Sequence, residues 1–165
     1  MTFMTFDVAY FIKENKDLID ANAWDQVYDN ALFNLDSDST GELGKALLDA
    51  GIDPLNHLDY IPDYFLSSTN IKSFSIPNTI HLLSEGCFSY CEQLESITIP
   101  TSVTQIAQFA FYCCSNLQNI RVEGDLHDLS ITAFDQVHPE CVIYCKENSL
   151  ADKYATENNF KVVHI

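Results

Sequence analysis

The residues of this chain that could do chemistry are six cysteines, five histidines and a dense set of carboxylates. Cys87 and Cys91 form a C-x-x-x-C pair, and Cys113 and Cys114 are adjacent. Thiols so placed would serve as metal ligands or, when deprotonated, as a nucleophile. A zinc site needs a second ligand pair at matching spacing, and none accompanies Cys87 and Cys91. Asp36, Asp38 and Thr40, followed by Gly41, match the opening positions of a calcium loop. That loop ends on a bidentate glutamate at position twelve, where this chain has Leu47, so helix capping accounts better for the same residues. No nucleophile with a spaced base, phosphate-cradling glycine loop or paired-acid motif stands out. The expectation is therefore no enzyme, no metal and no cofactor.

The elements that position these residues are legible from self-similarity at a shift of 23 residues. Leu117 falls on Leu94 and Ile71, Ile120 on Ile97 and Phe74, and Val122 on Ile99 and Ile76. Pro100 falls on Pro77, Val103 on Ile80 and Ile106 on Leu83. Phe111 falls on Phe88 and Phe134, and the same column carried N-terminally reaches Phe65 with no insertion. Each unit reads as a strand L-x-x-I-x-I-P, a turn, then paired apolar residues before A-F or C-F. In the strand, Ile97 and Ile99 point one way and Ser96 and Thr98 the other. Proline cannot extend the hydrogen-bond ladder and so ends each strand at the same place. A single unit cannot bury its apolar edge, whereas stacked units do. The expectation is a right-handed solenoid with one continuous parallel sheet along one face.

The run "IPNTIHLLSEGCFSYCEQLESITIPTSVTQIAQFAFYCCSNLQNI" resembles the BspA-like leucine-rich repeats, with their 23-residue unit I-P-x-S-V-T-x-I-G-x-x-A-F-x-x-C-x-x-L-x-x-I. Ala107 and Ser84 stand where that pattern has glycine, and "GDLHDLSITAF" is degenerate. The resemblance puts Cys91 and Cys114 in the family's cysteine column, stacked in the core. Cys87 aligns with the small residues Ala110 and Ala133; Cys113, Cys141 and Cys145 lie outside the column, and Cys113, beside an aromatic-rich edge, is the expected exposed thiol. His81 and His127 fall two repeats apart, about 10 Å at the spacing of parallel strands, too far for a shared metal. They read as surface turn residues.

Three divisions follow: a helical N-terminal domain over 1–56, leucine-rich repeats over 57–145 and a C-terminal cap over 146–165. In the first, the period changes to that of a helix. Val8, Phe11, Ile12, Leu18 and Ile19 make one stripe, and Trp24, Val27, Tyr28, Ala31 and Leu32 a second. Ser39 and Glu42 form a capping-box pattern for a third helix, with Gly51 and Pro54 as its stop. The fold class is α/β: a solenoid preceded by a three-helix domain. A helix over Ser149 to Glu157 and a strand ending near Val163 close it. With "LLDAGIDPLNHLDYIPDYFLSS", the N-terminal segment also resembles the leader of short leucine-rich repeat proteins encoded by bacteria and their phages.

Twenty-four acids against eight Lys and Arg give a net charge of -16, which repels phosphates and anionic membranes. Direct nucleic-acid and membrane binding are not expected. Without a basic n-region or a long apolar run, the N-terminus does not read as a signal peptide, so the thiols are expected reduced in the cytoplasm. If the chain is phage-encoded, that is the host cytoplasm. The leading reading is a non-enzymatic protein-interaction module for an unidentified protein, with a phage-borne origin and a host target as its finer form. Its grid would be Ser73, Ser96, Asn119 and Val142 in one column, with Ser75, Thr98, Arg121 and Tyr144 in the next. Arg and Tyr are the types enriched at interface anchors. The alternative is an acidic inhibitor that imitates nucleic acid in a host defence protein, with Asp17, Asp20, Asp25 and Asp29 on one face.

Overall fold

The computed structural model describes residues 7–165, apart from the side chains of 8 and 32–34, so for the stripe positions Val8 and Leu32 only the helical backbone is described. Helices α1 (Val8–Glu14) and α2 (Lys16–Asp20) meet at Asn15. The first stripe therefore forms two short helices rather than one. Asn15 is the cause: its side-chain amide donates to the Phe11 carbonyl (2.9 Å) and its Oδ1 accepts from Asn30 (2.9 Å), satisfying groups at the break. Helix α3 (Trp24–Asn34) buries Trp24, Val27, Tyr28 and Ala31.

Helix α4 (Ser37–Asp49) starts earlier than the capping-box reading placed it. Its N-cap is Asp36, whose Oδ1 accepts from the Ser39 amide at 2.8 Å, so Ser39 sits inside the first turn. A carboxylate satisfies the orphan amide and complements the helix dipole, and that hydrogen bond holds the Asp36 carboxyl below its ordinary pKa. The calcium-like residues are thus one helical turn, with the Thr40 hydroxyl donating back to the Asp36 carbonyl.

After a 3-10 turn at Pro54–Asn56 the chain coils into the solenoid. Its strands, in chain order, are β1 (Tyr60–Ile61), β2 (Leu82–Leu83), β3 (Ser96–Ile99), β4 (Gln105–Ile106), β5 (Asn119–Val122), β6 (Asp128–Leu129) and β7 (Val142–Cys145). Helix α5 (Leu150–Glu157), capped by Ser149, and β8 (Lys161–His164) complete the chain. Two parallel sheets form, not one: β1-β2-β4-β6 and β3-β5-β7-β8. The paired apolar residues of each unit, such as Leu82 and Leu83, make two-residue rungs of their own. Each turn of the solenoid thereby satisfies backbone groups on two sides.

The Phe65 column needs correcting. Tyr60 pairs with Leu82 across 22 residues, whereas Leu82 pairs with Gln105 across 23. The Leu66 amide bonds the Cys87 carbonyl just as Phe88 bonds Ala110 and Phe111 bonds Ala133, all at 2.8 Å. Leu66, not Phe65, is therefore the equivalent of Phe88, because the first turn is one residue shorter. Phe65 occupies the small-residue position of Cys87 and Ala110. A phenylalanine fits there because no repeat lies beneath it; α4 does, and presents Gly44, whose Cβ would lie 1.9 Å from the Phe65 carbonyl oxygen and 3.3 Å from its ring.

One core runs through all of this. Its axis is a series of rings: Tyr28 to Phe65 at 5.8 Å, Phe65 to Phe74 at 6.5 Å and Phe74 to Phe88 at 5.3 Å. Phe88, Phe111 and Phe134 stack at 5.1 and 5.3 Å, and Tyr154 of α5 meets Phe134 at 5.7 Å and Phe160 at 6.0 Å. Helical segment, repeats and cap share this series.

Candidate protein-binding face

Alternation along each long strand fixes one face inward. Ile97 and Ile99, Ile120 and Val122, Ile143 and Cys145 are buried, while Ser96, Thr98, Asn119 and Arg121 are exposed. The register aligns Ser96 with Asn119 and Val142, and Thr98 with Arg121 and Tyr144. A bridge from Ser75 to Thr98 adds the preceding unit, where Ser73 is also exposed. All eight grid residues thus share one face. The register continues past the grid to β8, placing Lys161 beside Val142 and Val163 beside Tyr144. That fourth strand lies in the cap, where the 23-residue pattern stops, and so fell outside the columns.

The face carries two depressions that meet at Ser96 and Thr98. One of about 310 Å³ is lined by Ser73, Ser75 and Asn78 with Glu123 at its rim; the other, of about 290 Å³, is lined by Asn119, Arg121 and Tyr144. Arg121 Nε pairs with Glu123 at 3.3 Å, and the Tyr144 hydroxyl donates to Asn119 Oδ1 at 3.3 Å. Both larger side chains are thereby held along the sheet with their polar ends accessible. Glu123 had no signal in the repeat columns, because it follows the strand at the position that proline takes in the two preceding units, Pro100 and Pro77.

The four aspartates divide. Asp20 is paired with Lys16, and Asp17 lies exposed on the same short helix. Asp25 accepts a hydrogen bond from the Tyr60 hydroxyl. Burial raises the Tyr60 pKa first, then that bond, then the charges of Asp25, Asp29 and Asp63. Asp25 and Asp29 therefore gather at the seam between α3 and the first repeat.

The thiols pack as the repeat implies. Cys91 Sγ donates to the Leu66 carbonyl and Cys114 Sγ to the Phe88 carbonyl, each at 3.0 Å. Burial pushes the Cys91 thiol up to about 11 against the opposing hydrogen bonds of Thr69, and Cys141 up to about 12. Burial, then neighbouring thiols, raises Cys87 and Cys114 further. Such groups remain protonated and unreactive near neutrality. Cys113 is half-buried, with Sγ donating to Gln136 Oε1 at 3.2 Å. His81 and His127 are exposed, and no group of three His, Cys, Asp or Glu among the described residues is placed to hold a metal. No helix among the described residues is long and apolar enough to cross a membrane.

A family described as BspA type Leucine rich repeat region matches residues 52–163 in six copies, more than half of the chain. The match runs through α5 and into β8. No curated protein and no solved structure matches the chain.

Proposed function

Because the chain belongs to the BspA-type leucine-rich repeat family, we propose that it is a non-enzymatic scaffold whose strand face takes a flat or extended protein surface. The observation that carries this reading is the register of Ser73, Ser75, Ser96, Thr98, Asn119, Arg121 and Tyr144 over two merging depressions. Small hydroxyl and amide side chains leave a low floor that a partner can approach closely. Arg121 and Tyr144 supply a fork of donors and an aromatic ring at one end, the types that anchor interfaces. In this reading the chain works in a cytoplasmic setting, where free buried thiols such as Cys91 and Cys114 stay reduced. A phage-borne origin with a host protein as target is the finer reading that the leader's resemblance carries.

The test is photo-crosslinking in bacterial lysate from a benzoyl-phenylalanine placed at Thr98 or, as a control, at exposed Glu157 on α5. The expected result is a discrete protein adduct from position 98 alone, lost in the Arg121→Ala, Tyr144→Ala variant. Equal adducts from both positions would overturn the reading, as would an adduct indifferent to the two substitutions. A nucleic-acid mimic would instead crosslink from positions 25 and 29, to a protein released by moderate salt.

A further inference from the structure

A second surface, on the turns away from the strand face, has the chemistry of a cation receptor. Tyr112 meets Tyr90 edge-on at 5.4 Å and Phe109 edge-on at 5.4 Å, so three aromatic side chains from adjacent turns form one ridge. Tyr90 is 47% exposed and Phe109 36%. The ridge is held in place: Gln136 donates from Nε2 to the Tyr112 hydroxyl at 2.9 Å and is itself bonded by Cys113. Both Tyr90 and Phe109 sit at φ +57°, where side chains are sterically disfavoured; the position equivalent to Phe109 one turn earlier is Gly86. Large rings thus stand where glycine would cost least, and none of the three is needed to fill the core.

Charge decides what this ridge suits. Between Lys72 and Arg121 the sequence contains no lysine or arginine, and its charged residues there are Glu85, Glu92 and Glu95. A depression of about 340 Å³ beside the ridge has Tyr90 as one wall and Glu92, Asn70 and Gln93 among its lining residues. Glu92 is exposed and makes no ion pair among the described residues. An aromatic face, a free carboxylate and amide oxygens around one hollow match a guanidinium, which stacks on rings while donating in its plane. We propose that this ridge docks an arginine-bearing segment of a protein partner, one arginine seated between Tyr90 and Glu92 and further cations lying over Phe109 and Tyr112. The strand face and the ridge are separate surfaces, so the chain can hold two protein segments at once.

The experiment measures binding of a fluorescein-labelled (Arg-Ala-Gly)3 peptide by anisotropy in 150 mM salt, with the lysine analogue and an alanine analogue as competitors. The parent protein is expected to bind the arginine peptide at least several-fold tighter than the lysine one and not to bind the alanine one. The Tyr90→Ser, Phe109→Ser double variant keeps the net charge and should weaken binding at least tenfold. Should that variant lose its fold by circular dichroism, the exposed-site pair Glu92→Lys and Glu157→Lys decides instead, since both change the net charge equally. Glu92→Lys is expected to weaken binding at least five times more than Glu157→Lys. Equal binding by parent and double variant, or equal loss from the two lysine variants, would reduce the attraction to net charge and overturn the proposal. Arg121→Ala should leave peptide binding unchanged; its loss would place the peptide on the strand face instead.

Discussion

Replacing Gly41 or Gly44 by alanine separates the two forces acting on α4. By helix propensity alone each change should stabilise an interior helical position by about 1 kcal/mol. Packing opposes it. A Cβ on Gly41 would lie 1.8 Å from the Ser67 carbonyl oxygen, and one on Gly44 1.9 Å from that of Phe65. Ordinary contact begins at 3.4 Å, so the helix or the first repeat must retreat by about 1.5 Å. The repeat has little freedom to do so, because the Leu66 and Ser68 amides are bonded at 2.8 Å to the next turn. The helix therefore moves, carrying Leu43 and Leu47, both fully buried. A radial gap of even 0.5–1 Å forfeits about a quarter to a half of the contact energy of the groups beside it. Set against about 2–5 kcal/mol for losing a buried leucine side chain, two leucines half-detached cost about 3–4 kcal/mol. Net of propensity, each alanine variant should lose about 2–3 kcal/mol, a fall in melting temperature of about 5–10 °C in a chain of this size. Urea titration followed by circular dichroism measures it, with Glu42→Ala on the exposed side of the same helix as the control, expected within about 0.5 kcal/mol of the parent. An alanine variant as stable as the parent or more so would refute the close-approach argument.

Other consequences are open to measurement. Iodoacetamide labelling mapped by mass spectrometry at pH 8 should modify Cys113 first. Cys91, held near 11 by burial, carries about one thiolate in a thousand at that pH and should label only in denaturant; rapid labelling of Cys91 in the folded chain would contradict its placement. Phe111→Ala, removing a ring stacked at 5.1 and 5.3 Å between Phe88 and Phe134, should cost about 3–5 kcal/mol by urea titration, and a loss under about 1 kcal/mol would mean that the ring series is not structural. Burial and, less strongly, the neighbouring Glu85 raise the carboxyl pKa of Asp63, opposed by the hydrogen bond from the Glu85 amide. The folded state therefore holds the Asp63 proton more tightly than the unfolded chain, and this group's contribution to stability falls as pH rises from its unfolded pKa through its folded one. Asp63→Asn keeps an acceptor oxygen and removes the charge. It should raise the melting temperature at pH 7, by a degree or two given how exposed the carboxylate is, and make no difference at pH 3; an equal effect at both would assign the change to something other than ionisation.

The solenoid was readable because its apolar columns repeat faster than chance allows: Ile97 over Ile120, Ile99 over Val122 and Phe88 over Phe111 are in register in the structure as in the sequence. Pairing in the strands and the polar grid of the face follow from that one period. The errors lie where the period meets something else. At Phe65 a local coincidence of residue type concealed a shorter first turn, and only backbone pairing distinguishes Leu66 from its neighbour. At Ser39 a valid capping pattern competed with a better cap three residues upstream, and both were present in the sequence. The second sheet went unseen because two-residue rungs such as Gln105–Ile106 are too short to show alternation. The aromatic ridge was present as "FAFYCC", but its exposure depends on left-handed backbone at Phe109 and Cys113, which breaks the alternation expected of side chains.

The ring series has a bearing on length. Each interior turn contributes one phenylalanine at a little over 5 Å from the last, and its neighbours require of it only a ring and a 23-residue period. The ends are different: Phe65 meets Tyr28 of α3 and Gly44 of α4, and at the other end Phe134 meets Tyr154 of α5, which in turn stacks on Phe160. A copied unit inserted between Phe111 and Phe134 would therefore lengthen the strand face by one strand spacing, about 4.8 Å, while leaving both terminal fittings as they are. The span of partner that the face can cover is thus an adjustable dimension of the molecule, set by how many units are counted between two fixed ends.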